Sequence, residues 1–209
     1  MSLGAVVLCG GESRRMGRPK AWLPFGPERM LQRVVRLVGT MAQSIVVVAA
    51  PDQALPDLPA DVAIVCDPIA GRGPLQGLAA GLATLPDPID LAYATATDVP
   101  FLQPHWITRL DELLGGDDLA IPFIDGYYHP LAALYRKRAV LPAIEILLNT
   151  NRLRPVFLVE AVHTRIVTEA EMRRVDPDLR TLRNLNHPGD YQNALRDAGF
   201  SDQDAPERS

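Results

Sequence analysis

Residues 5–20 read Ala-Val-Val-Leu-Cys-Gly-Gly-Glu-Ser-Arg-Arg-Met-Gly-Arg-Pro-Lys. The first five are apolar and rich in β-branched side chains, the length and content of a strand buried on both faces. Gly10 and Gly11 come next. Lacking a Cβ, they let the backbone turn with positive φ and approach a ligand closely. Successive N–H groups in such a turn form an anion-binding concavity. Arg14, Arg15, Arg18 and Lys20 then add cations. Arginine grips phosphate oxygens bidentately, and lysine acts as a mobile point charge. The stretch reads as a strand feeding a polyphosphate cradle.

Two common phosphate loops are excluded. A Walker loop needs Gly-Lys followed by Ser or Thr, whereas Gly17 is followed by Arg18-Pro19-Lys20-Ala21. A dinucleotide fingerprint needs G-x-G-x-x-G, which Gly10-Gly11-Glu12-Ser13 does not fit. The bland reading of the segment is a glycine turn followed by a solvated basic loop.

Composition narrows the field. The chain has 209 residues, 47% hydrophobic and 22% charged, enough for a sizeable core. Its net charge is −4 and its pI about 5.6, which argues against a nucleic-acid or membrane-surface binder. The basic N-terminal patch against that acidic background suits a small anionic ligand. Cys9 and Cys66 lie in apolar runs with no metal spacing, so buried reduced thiols are expected. His105, His129, His163 and His187 are scattered and form no zinc signature. The N-terminal run lacks a basic leader and cleavage site and is too short to span a membrane, so cytoplasmic residence is expected.

Strands and helices alternate along the chain. Apolar runs predict strands at 5–9, 45–50, 62–66 and 89–97, and helical periodicity or an N-terminal Pro predicts helices at 30–41, 74–85 and 104–114. This order predicts an α/β fold, a doubly wound and mostly parallel sheet. Beyond Gly116, strands at 119–123 and 131–136 are expected to pair antiparallel around Asp125-Gly126. A helix at 139–148, late strands at 165–168 and 182–185, and a closing helix at 188–198 follow. The expected organisation is one domain over 1–200, with a nucleotide-binding half (1–116) and an acceptor-binding half (117–200), and a disordered tail at 201–209.

Ligands of open parallel sheets bind beyond the carboxyl ends of the strands. Gly10-Gly11 follows the first predicted strand, Asp67 the third and Asp98 the fourth, so three polar signals share one edge. Asp98 is either a Mg²⁺ ligand beside the phosphate turn or an acid opening a turn before Pro100. The glycine-rich entry Gly71-Arg72-Gly73-Pro74-Leu75-Gln76-Gly77 either faces a nucleobase or phosphate, with Gln76 reading a base edge, or serves tight packing. Tyr127, Tyr128 and His129 line a flat pocket or a half-buried sheet edge. Arg152 and Arg154 form a second basic spot, or a solvated helix end. Asn184 and Asn186 place both amides on one face of an extended segment.

At this point the chain resembles a known family. The run from Leu8 to Gly17 with Lys20 is similar to the signature of the MobA-type molybdenum cofactor guanylyltransferases. Gly73-Pro74-Leu75, Thr97-Asp98-Val99-Pro100-Phe101 and Asn184-Leu185-Asn186-His187-Pro188 resemble further blocks of that family in order. The resemblance implies a three-layer, Rossmann-like nucleotidyltransferase fold with an antiparallel extension in its second half. It implies transfer of GMP from GTP to the terminal phosphate of molybdopterin, releasing pyrophosphate, with Mg²⁺ as cofactor. By that likeness Leu8, Cys9, Gly10, Gly11 and Gly73 line the nucleotide. Lys20 contacts phosphate, Asp67 lies near the guanosine, and Asp98 binds Mg²⁺. His129, Asn184 and Asn186 face the pterin acceptor, and molybdoenzyme apoproteins or their chaperones are the macromolecular partners. Three positions depart from the family: Cys9 for a usual Ala, Pro19 for a frequent acid, and Ala49-Ala50-Pro51 where an Asn is usual.

The implied step is in-line attack on the α-phosphorus by an acceptor phosphate already ionised at neutral pH, so positioning and charge neutralisation by Arg15 and Lys20 suffice. The rival readings are a cytidylyltransferase or another nucleotidyltransferase of the superfamily, and a non-catalytic nucleotide-binding module.

Overall fold

The computed structural model describes residues 2–10, 16, 18–67 and 73–201. Its elements begin with β1 (Leu3–Leu8), a 3-10 turn (Lys20–Trp22), a hairpin of β2 (Pro24–Phe25) and β3 (Glu28–Arg29), and α1 (Met30–Gly39). Then come β4 (Ser44–Ala49), β5 (Ala63–Cys66), α2 (Pro74–Thr84), β6 (Leu91–Ala96) and α3 (Pro104–Leu114). The second half holds β7 (Leu119–Ile124), β8 (Tyr127–Tyr128), β9 (Ala132–Arg136) and α4 (Lys137–Asn149). A 3-10 turn (Pro155–Phe157), α5 (Leu158–Ala161), β10 (Thr164–Thr168), α6 (Glu169–Met172), another 3-10 turn (Arg180–Leu182) and α7 (Pro188–Asp197) complete it.

The main sheet runs β10-β7-β9-β6-β1-β4-β5, with β8 paired to β7. β6, β1, β4 and β5 are parallel neighbours, as are β7 and β10, while β9 runs antiparallel to β6 and β7. This is the expected mostly parallel α/β sheet with its antiparallel part in the second half. Because β9 reverses direction, Ala132 at its start lies beside Thr95 near the end of β6. The carboxyl ends of β1, β4, β5, β6, β7 and β10 and the entry to β9 therefore share one edge.

Side chains alternate across the sheet with the period of two that a strand imposes. Ala5 and Val7 of β1 join Leu31, Val34 and Val38 of α1 and Trp106 and Leu110 of α3 in one core. Val6 faces the other way, with Leu75, Leu78 and Leu82 of α2 and Val140, Ile144 and Leu147 of α4. These are the three layers. Gly81 lets α2 lie flush on the sheet, since a Cβ there would come within 2.3 Å of Val6 Cγ1.

Four expectations are corrected. Residues 182–185 form no strand; the 3-10 turn at Arg180–Leu182 precedes an unpaired extended stretch, its first N–H groups at Arg180 and Thr181 capped by buried Asp176 at 2.9 and 2.8 Å. Cys66 is exposed because β5 is an edge strand with one neighbour, and Cys9, past the end of β1, is half-buried. The turn at Asp125-Gly126 (φ 53° and 80°) joins β7 to β8, not directly to β9, although β7 and β9 do pair antiparallel. Two consecutive positive φ values suit a two-residue hairpin loop, for which Asp-Gly is a preferred pair. Gln76, in the first turn of α2, faces α4 and lines a groove of about 500 Å³ with Ala79, Ala80, Ala83, Leu141 and Glu145. The predicted tail lies, beyond Ser201, outside the described residues.

A third cluster was not foreseen. Met16, Leu23, Phe25 and Met30 pack with Phe101, Leu185, and Ala194 and Leu195 of α7. Phe25 meets Phe101 and Phe200 edge-on, with ring centroids 5.8 and 5.6 Å away. This cluster clamps α7 and Phe200 onto Leu23, Phe25 and Met30.

Candidate active site

Beyond Leu8 the backbone of β1 stays tied to both neighbours. Cys9 N and Gly10 N both donate to Val48 O, at 2.8 and 3.2 Å. On the other side, Thr97 donates to Leu8 O from its N–H and its hydroxyl, each at 3.2 Å. A Cβ on Gly10 would sit 3.3 Å from Ala50 N, so this close approach of two backbones favours glycine. Burial pushes the Cys9 thiol up from its ordinary pKa, against hydrogen bonds from Thr97 and Gln53, which keeps it a neutral thiol.

Asp98 follows β6 and is almost fully buried. Its Oδ2 accepts from Lys20 Nζ at 2.6 Å, and the same ammonium donates to Asn186 Oδ1 at 3.0 Å. The Asp98 backbone carbonyl accepts from Leu185 N at 3.0 Å. Leu185 is buried in the third cluster, while Asn184 and Asn186 on either side of it are exposed, as alternation in an extended segment requires. Segments distant in the chain thus converge on one carboxylate. Among the described residues its Oδ1 is buried and has no hydrogen-bond partner.

A carboxylate oxygen with no hydrogen-bond partner is a donor suited to a hard divalent cation. Among the described residues no group of three or more His, Cys, Asp or Glu side chains surrounds it. A single carboxylate of this kind fits a cation that completes its shell with phosphate oxygens and water, as Mg²⁺ does.

The other predicted residues divide. Asp67 N donates to Ala49 O at 2.8 Å, and its Oδ2 lies 3.8 Å from where a Gly77 Cβ would be, so its carboxylate overlies the first turns of α2. Gly73 precedes α2 with φ 78°, and a Cβ there would lie 3.3 Å from Leu153 O. That contact brings Arg152 and Arg154 alongside the start of α2. Arg152 stacks over Phe157 at 4.2 Å. His129 sits just before β9, with its N–H donating to Pro122 O at 3.0 Å. Its ring Nε2 is 3.4 Å from Ile124 O inside the β7–β8 hairpin, and burial holds its pKa below the usual value. Gly11 and Arg15 lie outside the described residues, as do Arg14, Gly71 and Arg72.

Sequence reasoning missed the contact between Asn186 and Lys20, and it missed Gln53 and Trp22, which bridge loops beside this edge. The apolar spacing Leu23-x-Phe25, with Phe101 and the 194-195-198 stripe of α7, was the available signal for the packing that creates the first contact.

The MobA-like NTP transferase domain profile matches residues 5–165. A Methanosarcina mazei protein named "Probable molybdenum cofactor guanylyltransferase" is 33% identical over 204 residues, covering 91% of this chain and 89% of its own. A protein of the same name from Mycobacterium tuberculosis (strain H37Rv) is 35% identical over 189 residues, 88% of this chain and 89% of that one. Molybdopterin-guanine dinucleotide biosynthesis protein A from Archaeoglobus fulgidus has the same fold, with a TM-score of 0.77 at 21% identity over 94% of this chain and 98% of that one. Among the described residues, no helix is long and apolar enough to cross a membrane. Matched by that profile over most of its length, and by relatives above 30% identity over nearly all of it, the chain belongs to the MobA-like NTP transferase family and is a nucleotidyltransferase.

Proposed function

We propose that the protein transfers GMP from GTP to the terminal phosphate of molybdopterin, forming the guanine dinucleotide cofactor and releasing pyrophosphate. The observation that carries this reading is the convergence of Lys20, Asp98 and Asn186 at the carboxyl edge of the sheet, with one oxygen of Asp98 left open. The names of the relatives support the choice of guanine and molybdopterin. Residues 1–116 would hold the nucleotide and 117–200 the acceptor, in a single cytoplasmic domain.

In the proposed step an acceptor phosphate oxygen bonds to the α-phosphorus, and the bond from that phosphorus to the bridging oxygen breaks. The electron pair leaves with pyrophosphate. The 8–11 segment and Gly73 line the nucleotide, with the Cys9 and Gly10 N–H groups kept on Val48 O, and Asp67 lies near the guanosine. Lys20 swings between Asp98 and a phosphate oxygen, and Lys20 and Arg15 neutralise charge growing on the leaving group. Asn186, already bonded to Lys20, orients that ammonium, while Asn184 and His129 face the acceptor. Asp98 would hold Mg²⁺, which would supply positive charge against the phosphate oxygens.

The test is pyrophosphate release by the purified protein with Mg²⁺, each nucleoside triphosphate in turn, and molybdopterin. Release that needs both GTP and acceptor, with a guanine dinucleotide product by mass, is expected. Release with CTP in place of GTP makes the protein a cytidylyltransferase, and nucleotide binding without release makes it a binding module.

A further inference from the structure

We propose that Gln53 is a positioning residue that shapes the nucleotide site by fastening the end of β1 to the end of β4; this rests on the nucleotide-binding reading above. Beyond Ala49 the chain makes a tight turn in which Gln53 N donates to Ala50 O at 3.2 Å. Pro51 takes the second position of that turn and Asp52, with φ 57°, the third. A proline followed by positive φ is the type II pattern, and Asp is among the residues that tolerate it. The turn curls Gln53 back over the strand ends.

The Gln53 amide is then used at both ends. Its Oε1 accepts from Ala50 N at 2.9 Å, and its Nε2 donates to Cys9 O at 3.2 Å and meets Cys9 Sγ at 3.4 Å. One side chain thus bridges the point where β1 and β4 stop pairing, directly before Gly10. The next residue is tied as well: Ala54 O accepts from Trp22 Nε1 at 2.9 Å, in the 3-10 turn that begins at Lys20. Residues 50–54 therefore bond both to Cys9, which precedes the glycines, and to Trp22, which follows Lys20. This loop sets the spacing between the backbone that would cradle phosphate and the lysine that would neutralise it. With both ends of its amide engaged, Gln53 supplies shape to the site, not a contact to the base.

The bonds are few and local, so their loss should change the site more than the fold. Gln53→Met keeps the length and removes every bond of the amide. Gln53→Glu keeps the acceptor for Ala50 but sets a carboxylate against Cys9 O and the incoming anion. Trp22 is partly exposed and the other tryptophan, Trp106, is fully buried, so indole fluorescence reports on this loop.

The experiment titrates Mg·GTP into wild type, Gln53→Met and Gln53→Glu, following Trp22 fluorescence, and measures kcat and KM by pyrophosphate release. KM for GTP is expected to rise at least about tenfold in Gln53→Met and further in Gln53→Glu, with kcat within about threefold of wild type. Exchange of the Ala50 amide hydrogen should speed up in Gln53→Met and stay slow in Gln53→Glu. A fall in kcat at constant KM, or unchanged GTP binding in both variants beside a binding wild type, overturns the positioning role. So does failure of both variants to fold, which would make Gln53 a structural residue. Wild type that binds no nucleoside triphosphate overturns the nucleotide reading and this inference with it.

Discussion

Lys20→Met removes one ammonium and leaves the volume of the side chain nearly intact. In the structure that ammonium donates to Asp98 Oδ2 at 2.6 Å and to Asn186 Oδ1 at 3.0 Å, and the two side chains of the ion pair are 20% and 12% exposed. Two effects follow. The substitution strands a mostly buried carboxylate oxygen, which costs about 1–3 kcal/mol. At about 2–4 °C per kcal/mol for a chain of this size, the melting temperature should fall by about 2–12 °C. On the proposed mechanism the variant also loses a charged hydrogen bond to phosphate in the transition state, about 1.5–3 kcal/mol. That corresponds to a loss of about 10- to 150-fold in kcat/KM for GTP. Pyrophosphate release and a thermal melt on the same preparation separate the two. Asn186→Leu should give a smaller loss, because it removes only the group that orients Lys20. The double variant should lose less than the sum of the singles, since both act through one ammonium. A folded Lys20→Met protein with wild-type kcat/KM would remove Lys20 from the chemistry and leave it a partner of Asp98 only.

Three further outcomes are expected. Asp98→Asn keeps the shape of the side chain and removes its charge, so the Mg²⁺ concentration giving half-maximal turnover should rise at least about tenfold, and an unchanged Mg²⁺ titration would refute the metal assignment. His129 is held below its usual pKa of 6.5 by burial. The unfolded chain then binds a proton more readily, so the stability His129 contributes is complete above about pH 6.5 and is lost as pH falls through the folded-state value; His129→Gln should flatten the fall of melting temperature between pH 7.5 and 5.5, and an unaltered slope would contradict it. Gly81→Ala drives a Cβ to 2.3 Å from Val6 Cγ1 and 2.9 Å from Val48 Cγ2 inside a closed core. Overpacking of that kind costs about 1–3 kcal/mol, read as a lower urea midpoint with no change in the slope of the transition.

Much of the frame was legible because it rests on local rules. Apolar runs of strand length and helical spacing in residues 30–41 and 104–114 found the elements to within a few positions. The carboxyl-edge rule places Gly10, Asp67 and Asp98 on one edge. Errors arose where a residue's environment depends on its neighbours in space. Cys66 looks buried from its run, yet β5 ends up at the edge of the sheet. Gln76 lies in the first turn of α2 as foreseen, but the rotation of that helix, set by the face carrying Gly77 and Gly81, turns it toward α4.

The sequence by itself determined the α/β frame and the edge on which the site would lie. Those follow from side-chain period and the direction of parallel strands, both of which are properties of short segments. The tertiary structure alone decided that Lys20 meets Asn186, 166 positions later, and that Gln53 seals the gap between β1 and β4. The first contact comes from packing of the third cluster, where Leu185 anchors beside Phe25 and Phe101, and the second from the turn after β4. No local pattern encodes a distance between segments; only the closed core supplies it.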